Sequence, residues 1–536
     1  MNRGASRYAA FGLCVAITVG GLVLALWWPK ALILALVAGL LTLLGLRDLT
    51  QTRHSIQRNY PVIGHIRWFV ETVRPELRQY LFESDEEAAP FTRSQRSLVY
   101  ERAKGMTGEH PFGTLLDVYR NGYEFIGHST CPAPRMDPDT FRVTIGGDQC
   151  AKPYSASIFN ISAMSFGSLS ANAIRALNAG AKRGGFYHDT GEGSISPYHR
   201  EMGGDIVWEV ASGYFGCRTA EGRFDPDKFA KQATTDQVKM IEIKLSQGAK
   251  PGHGGILPAG KVSKEISETR GVPMGQDCIS PSRHSAFSTP LQMMDFITQL
   301  RTLSGGKPVG FKLCLGHPWE LMAIIKAMLQ TGVRPDFIVV DGGEGGTGAA
   351  PVEFSDHVGA PMREGLLFVH NTLVGAGLRD QIKIGAAGRI VSAFDIASVL
   401  AIGADWANAA RGFMFAVGCV QSLSCNTNRC PTGVATQDPQ RQKALVVPDK
   451  AERVYNFQRN TVGALADMLA AAGVDRPEKL GPHHLVRRVS PTEVKPFADL
   501  HLFLKSRVLI DGLCEDSFYK TSWDRASAES FDPVMN

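Results

Sequence analysis

Beyond residue 150 the chain alternates short β-rich runs with amphipathic helical segments, and the runs end in glycine or polar residues. "IFNISAM" leads to "SFGSLSANAIRALNAGAKRGG", "MIEIKLSQGAK" to a glycine-rich loop, and "PVGFKLCLG" to "PWELMAIIKAMLQTG". "PDFIVVDGGEGGTG", "DQIKIGAAGRI" and "ADWANAARGF" follow. Buried runs alternating with helices call for parallel strands joined by crossover helices. So many units favour a closed α/β (β/α)8 TIM barrel over an open doubly wound sheet, and no G-x-G-x-x-G opens a helix after the first strand. The glycine-rich and polar segments lie at the C-terminal ends of the strands, the face on which a barrel carries its active site.

The N-terminus obeys a different rule. Ala9 to Trp28 is an uncharged apolar run, Pro29 and Lys30 follow, and a second apolar run extends from Ala31 to Leu46. The first is long enough to cross a hydrocarbon core of ~30 Å, whereas the second, slightly short, needs its flanks. Arg3 and Arg7 precede the pair, Arg47, Arg53 and Arg58 follow it, and the connection carries only Lys30. The positive-inside rule then predicts a transmembrane helical hairpin with both ends in the cytoplasm and Trp27 and Trp28 at the far interface. No small-residue cleavage pattern follows the first run, which disfavours a signal peptide. The expected location is the cell inner membrane, with the main domain facing the cytoplasm.

Four segments result: a hairpin over 1–50, a helical connector over 51–149, the barrel with its cysteine loop over 150–475, and a C-terminal extension over 476–536. In the connector, Ile66, Phe69, Val70, Val73, Leu77, Tyr80 and Leu81 have helical apolar spacing, with Pro75 expected to interrupt it. The net charge of +5 without a long Lys/Arg tract argues against a nucleic-acid partner.

Three glycine-bearing turns suggest a ligand cradle: "DGGEGGTGAAP" from Asp341, "AAGR" at Ala386–Arg389 and "AARG" at Ala409–Gly412. Turns after the last two strands of a barrel commonly hold a phosphate on backbone N–H groups, and Arg389 and Arg411 would add charge-assisted bonds. The alternative is two surface arginines near strand ends. Lys312 lies inside the apolar run "GFKLCL", where a lysine is rarely buried without a partner. It would face the barrel mouth beside an electron-rich ring, or snorkel at the strand end. Glu192, Gln247 and Lys250, in "DTGEGS" and "LSQGAKPGHGG", offer a carboxylate, an amide and an ammonium that could together bind a dicarboxylic oxo-acid.

Cys419, Cys425 and Cys430 are spaced C-x5-C-x4-C, while the other seven of ten cysteines show no framework spacing. Zinc usually takes four ligands with closer pairs, and no Cys or His nearby completes the set. A disulfide would leave an odd thiol in a compartment that discourages disulfides. Three thiolates without a fourth suit a [3Fe-4S] cluster, and Pro431 after the last cysteine is familiar from iron–sulfur loops.

Taken in order, "SAMSFGSLS", "TGEGS", "QGAKPGHGG", "DGGEGGTGAAP", "LVGAGLRDQIKI" and "CNTNRCPTGVATQ" resemble the FMN-binding, iron–sulfur synthase domain of glutamate synthase, over roughly residues 150–440. The whole chain is similar to stand-alone glutamate-synthase-like FMN proteins of bacteria. The resemblance implies FMN in the barrel, a [3Fe-4S] cluster that feeds it electrons, and hydride transfer to 2-iminoglutarate, formed from 2-oxoglutarate and ammonia, to give L-glutamate. It places Ala163, Met164 and Ser165 beside the flavin ring, Gln247 and Lys312 at its polar edge, and Asp341, Gly342 and Thr347 along the ribityl chain. Gly388, Arg389, Ala410 and Arg411 would hold the phosphate, and Glu192, Gln247, Lys250 and Arg270 the oxo-acid. Two positions depart from the family pattern: His253 replaces a carboxylate, and Arg389 stands where glycine is usual.

Neither an amidotransferase nor an NAD(P)H-binding fingerprint is read in the chain. Ammonia and electrons are therefore expected from elsewhere, the latter from a donor such as ferredoxin or a reductase subunit. The alternative activity is a membrane-bound flavin dehydrogenase acting on another amino acid or amine. The hairpin carries a direct expectation: the full chain sediments with membranes and resists a high-salt wash, and its recovery in that wash would contradict the hairpin.

Overall fold

A computed structural model of the chain describes residues 6–535 apart from 88, 107 and 110. Two compact units emerge, Met1–Ala88 and Ala89–Asn536. The division falls inside the stretch read as the connector.

In the first unit, helix α1 (Ala9–Leu24) and helix α2 (Ala31–Thr50) form an antiparallel pair. Small residues meet along the seam: a methyl added at Gly21 would lie 3.0 Å from Ala35 Cβ, and the Thr18 and Thr42 hydroxyls are 3.1 Å apart. Large apolar side chains such as Leu13, Leu22, Ile33, Leu36, Leu40 and Leu43 point outward and are exposed. The two helices reverse the lengths expected from sequence. α1 stops at Leu24 after 16 residues, about 24 Å of helix, because the chain turns ahead of Pro29. α2 runs past Leu46 through Arg47 and Asp48 for 20 residues, and by length and composition it could cross a membrane. Arg3, one of the charges in the orientation argument, lies outside the described residues.

The second unit is built on a closed barrel of eight parallel strands. In chain order these are β1 (Phe159–Ile161), β2 (His188–Asp189), β3 (Ile206–Val210), β4 (Val238–Lys244), β5 (Val309–Leu313), β6 (Phe337–Asp341), β7 (Lys383–Ala387) and β8 (Trp406–Ala409). Each pairs with its neighbours in sequence, and β8 closes on β1. The fold class read from sequence is therefore the one observed. Six of the strands lie in the runs quoted above. The other two are β2, only two residues long, and β3, whose apolar run is broken by Glu209.

Helix starts are marked by caps that relieve their first N–H groups. Ser170, Asp225, Thr289 and Ser392 accept from the backbone N–H three residues on, and proline follows directly at Pro226 and Pro290. An antiparallel hairpin, Arg142–Ile145 with Tyr154–Ser157, plugs the N-terminal end of the barrel. Its Val143, Ile145 and Ala156 pack with Tyr187, Met240, Phe337, Val339 and Trp406. The polar tips there satisfy one another: Trp406 Nε1 donates to Tyr187 Oη at 2.8 Å, and that hydroxyl donates to Asn408 Oδ1 at 2.7 Å.

The connector is helical only in part. Its strand Glu124–Ile126 pairs antiparallel with Leu485–Ser490, which pairs with Glu493–Pro496, so this segment and the C-terminal extension share one sheet. With that end plugged, the barrel interior opens at the C-terminal ends of the strands.

Candidate functional site

Strand register decides which charges meet inside the barrel. Glu209 of β3 pairs across to Glu242 of β4, and Lys244, two residues further along β4, pairs to Lys312 of β5. Residues two apart on a strand share a face, so these side chains form successive layers in the interior. The Lys312 ammonium is in contact with the Glu209 carboxylate and 3.3 Å from Glu242 Oε1. Asp189, from β2, brings a third carboxylate; oxygens of Asp189, Glu209 and Glu242 lie within 4.8 Å of one another, all buried. No other such set of three metal-ligating side chains occurs among the described residues, and Lys312 already supplies its cation.

Three carboxylates around Lys312, with Lys244 Nζ 4.0 Å from Glu209 Oε1, leave an excess of negative charge away from water, which favours the neutral form of a carboxyl. Burial, reinforced by Glu209, pushes Glu242 up to about 7 against the pull of Lys312. Burial and the neighbouring Glu242 and Glu209 raise Asp189 well above the ordinary carboxylate range. For Lys312 burial opposes the charge, but Glu209, Glu242, Asp189 and Asp341 outweigh it and raise the ammonium well above its ordinary value.

Above this layer opens a cavity of about 470 Å³ at the barrel mouth. Ala163, Met164, Ser165, Glu192, Gln247, Lys312, Asp341, Thr347, Gly388, Arg389, Ala410 and Arg411 all line it. So do Cys419 and Cys425, which puts the cysteine loop and the glycine-rich turns on one space.

The turns after β4 and β6 are pressed together. Asp341 Oδ2 accepts from Gly248 N–H at 2.8 Å, and a Cβ at Gly248 would lie 1.9 Å from Gly342 O. Only glycine fits there. Gly342 itself lies off the cavity and donates its N–H to Ala387 O at 2.8 Å, tying the end of β6 to the end of β7. Arg389 has φ +52°, the left-handed region where glycine is cheapest, so an arginine there strains the backbone by about 1 kcal/mol. Arg411 donates to Glu344 O at 2.9 Å and stands 4.7 Å over the Phe91 ring. Burial, with Arg389 close by, lowers it to about 10.

Two residues expected to hold an oxo-acid brace loops instead of lining the cavity. Lys250 is buried, and its Nζ donates to Ala349 O at 3.1 Å; burial lowers its pKa, with Glu192 opposing. Arg270 donates to Phe166 O at 3.0 Å and to Ser165 Oγ at 3.5 Å, and lies over the Phe215 ring. It therefore fixes the loop after β1. His253 keeps its Nδ1 2.9 Å from Gly254 O and meets the Phe354 ring edge-on.

Glu192 does line the cavity, and Lys244 Nζ donates to its Oε2 at 2.8 Å. Lys244, Glu209, Glu242 and Asp189 were not singled out in the sequence. The signal was present: Lys244 in "MIEIKL" and Glu209 in "IVWEV" are charges inside apolar strands, as Lys312 is.

All three loop cysteines are free thiols. Burial raises Cys419 to about 12 and also raises Cys425. Cys430 goes the other way: burial is outweighed by the Thr432 hydroxyl and the N–H groups of Ala435, Thr432 and Val434. Beside them Lys261 is buried, donating to Ser168 O at 2.9 Å and, at 3.4 Å, to the carbonyls of Cys425 and Ala435. Free thiols with N–H donors and a buried ammonium alongside fit an anionic, thiolate-bound group.

Residues 135–475 match the protein family described as a conserved region in glutamate synthase. A Bacillus subtilis strain 168 protein named glutamate synthase large subunit-like protein YerD is 40% identical over 484 residues, covering 83% of this chain and 91% of that one. An archaeal-type glutamate synthase (NADPH) of Thermotoga neapolitana is 34% identical over 319 residues, 59% of this chain and 60% of that one. The chain matches only 20% of the glutamate synthase (NADPH) large chain of Bacillus subtilis strain 168, at 32% identity. Among solved structures, a flavocytochrome b2 variant with pyruvate bound aligns at a TM-score of 0.40 and 13% identity, covering 84% of this chain and 91% of that one. A likeness of that size carries no argument about chemistry.

The Glu192–Lys244 pair gives a test of the site's electrostatics. Burial alone would raise the Glu192 carboxyl; Lys244, then Arg270 and Lys250, hold it down at about 2, against an ordinary 4.5. A folded value below the unfolded one stabilises fully above pH 4.5, and the contribution fades as the pH falls toward 2. Lys244→Met should therefore cost about 3 kcal/mol near pH 7. The gap to the parent protein should narrow by about pH 3, because Glu192 of the variant has taken up a proton that the parent's has not. Urea unfolding at both pH values measures this, and equal gaps would contradict the pairing.

Proposed function

The chain belongs to the glutamate synthase family, and on that premise we propose that it is an FMN- and [3Fe-4S]-dependent oxidoreductase, held at the cell inner membrane, that reduces 2-iminoglutarate to L-glutamate. One observation carries the proposal: a single cavity is lined by the glycine-rich strand-end turns, by the Glu192–Lys244 pair and by two of the three clustered cysteines.

The turns at Gly388–Arg389 and Ala410–Gly412 would hold the FMN phosphate on backbone N–H groups and two guanidinium charges, and Ala163, Met164 and Ser165, which line the same cavity, would contact the flavin. Cys419, Cys425 and Cys430 are the cluster's ligands. When bound, FMN supplies a hydride and the cluster single electrons. The residues of the chain do the rest. Lys244, an ammonium in the cavity wall, attracts a carboxylate of the oxo-acid, and Glu192 keeps that ammonium in place. Gln247 presents an amide to the same space. Lys250 and Arg270 act from behind by fixing the loops that carry Ala349 and Ser165. Reduction of the imine adds hydride to carbon and a proton to nitrogen, and Glu242 and Asp189, raised by burial and grouped around Lys312 at the cavity floor, are suited to supply that proton.

Ammonia reaches the site free or from a partner, and ferredoxin or a reductase subunit re-reduces the protein. The hairpin keeps the barrel on the cytoplasmic side, where both are found.

The deciding experiment uses the detergent-solubilised holoprotein, chemically reduced under anaerobic conditions. Addition of 2-oxoglutarate with ammonium should reoxidise the bound flavin and yield glutamate, while 2-oxoglutarate alone should not. Reoxidation by a different oxo acid, or reduction of the oxidised flavin by another amino acid or amine, with no response to this pair, would replace the substrate and leave a flavin dehydrogenase of other specificity.

A further inference from the structure

Outside the barrel, one element has no role in the reading above. The helix Gly64–Leu77 runs straight through Pro75 and continues in a wider turn, Arg78–Phe82. Proline removes one N–H and crowds the preceding turn, and widening by one residue just after it absorbs the misfit.

Most of its apolar side is exposed among the described residues. Ile66, Phe69, Val70, Leu77, Tyr80 and Leu81 fall on one helical face, and they are exposed, Phe69 at 68% and Leu81 at 69%. Arg67, Arg74 and Arg78, spaced seven and four apart, form a stripe along one flank of that face.

The start of this helix is pinned to the end of α2. Asp48, 2% exposed, accepts from Val62 N–H at 2.9 Å, and His65 Nε2 lies 2.9 and 3.0 Å from its two oxygens. Val62 takes φ +66° to make the turn, and its Cγ2 comes against Gly45, where an added Cβ would be 3.0 Å away. The amphipathic helix therefore begins where the apolar helix ends.

We infer that the segment Gly64–Phe82 lies in the plane of the membrane, with Ile66, Phe69, Val70, Leu77 and Leu81 below the lipid headgroups and Arg67, Arg74 and Arg78 among the phosphates. The inference rests on the membrane hairpin. If α2 crosses the bilayer, its end at Thr50 lies at headgroup level, and the clamp on Asp48 fixes the new helix at the same depth. An amphipathic helix with arginines beside its apolar face binds such a surface by burying that face and pairing the cations with phosphate. The neighbouring hairpin, itself apolar on its outside, makes the occupant lipid and not a second protein.

The test uses the full chain in nanodiscs of phosphatidylcholine and phosphatidylglycerol, with and without bromine on the acyl chains. Phe69→Trp adds an emitter at an exposed position, so the fold is kept. The added emission should be largely quenched by bromines near the headgroup and less by bromines deep in the chains. Trp68, which lies on the same helix, is replaced by Phe throughout; in that background Trp27 and Trp28 give the control for the hairpin, with quenched emission that disappears in Trp27→Phe with Trp28→Phe. An added tryptophan that stays bright while Trp27 and Trp28 are quenched overturns the in-plane helix and leaves the hairpin standing. Shielding of that tryptophan from aqueous acrylamide as well would show that protein covers the face, which also overturns it. Loss of quenching at Trp27 and Trp28 too would remove the hairpin and this inference with it.

Discussion

One ammonium, Lys312, stands among three carboxylates deep in the barrel with a second, Lys244, beside it, and the arrangement at the mouth depends on them. Lys312 touches Glu209, approaches Glu242 and feels Asp189, all out of reach of water. Such a layer is poor value as stabilisation, because well-packed apolar side chains would do as well, whereas removing one partner costs about 3–5 kcal/mol. What it supplies is a fixed field. Charges held in a water-poor site, already oriented before any ligand arrives, act on that ligand far more strongly than they would in water. Lys312 and Lys244 both line the cavity and both are tied to buried or half-buried carboxylates, so neither ammonium is free to swing away.

The turns around the mouth follow the same logic at the backbone. Gly248 packs on the carbonyl of Gly342, Asp341 caps the Gly248 N–H, and the Gly342 N–H closes onto β7. The loops that meet the cavity are thus locked to strands that cannot shift without opening the barrel. The long-range braces Lys250, Arg270 and Lys261 extend this to the loops after β6 and β1 and to the cysteine loop. Lys250 looks like a ligand-binding residue in the sequence because a buried cation and a substrate-binding cation have the same surroundings there, glycine and polar residues past a strand end, whereas Arg270 is placed with the oxo-acid by the family resemblance alone.

Much of the fold was legible because it is local. Apolar runs ending in glycine or polar residues located six strands, and the cysteine spacing singled out a loop that the structure brings to the cavity. β2 was illegible because two residues carry no periodicity, and β3 because Glu209 breaks the pattern that marks a strand. In the site, Lys312 could be singled out from its apolar neighbours, but its partners could not. Glu209 and Glu242 come from other strands, and only the barrel's register brings them together. The hairpin shows the same limit. Hydropathy found both helices, but the turn before Pro29 shortened the first, and the second runs on to an Asp48 held by the distant Val62 and His65.

The central claim is that one barrel mouth joins a flavin to an iron–sulfur cluster held by Cys419, Cys425 and Cys430. Cofactor analysis of the full chain, solubilised in detergent without reconstitution, tests it most directly. The account predicts about one FMN and about three irons per chain, no zinc, and a [3Fe-4S] electron paramagnetic resonance signal in the oxidised protein as isolated. Cys425→Ser should lose the iron while keeping the flavin. Stoichiometric zinc on the three cysteines, or a chain that binds iron but no flavin, would contradict it.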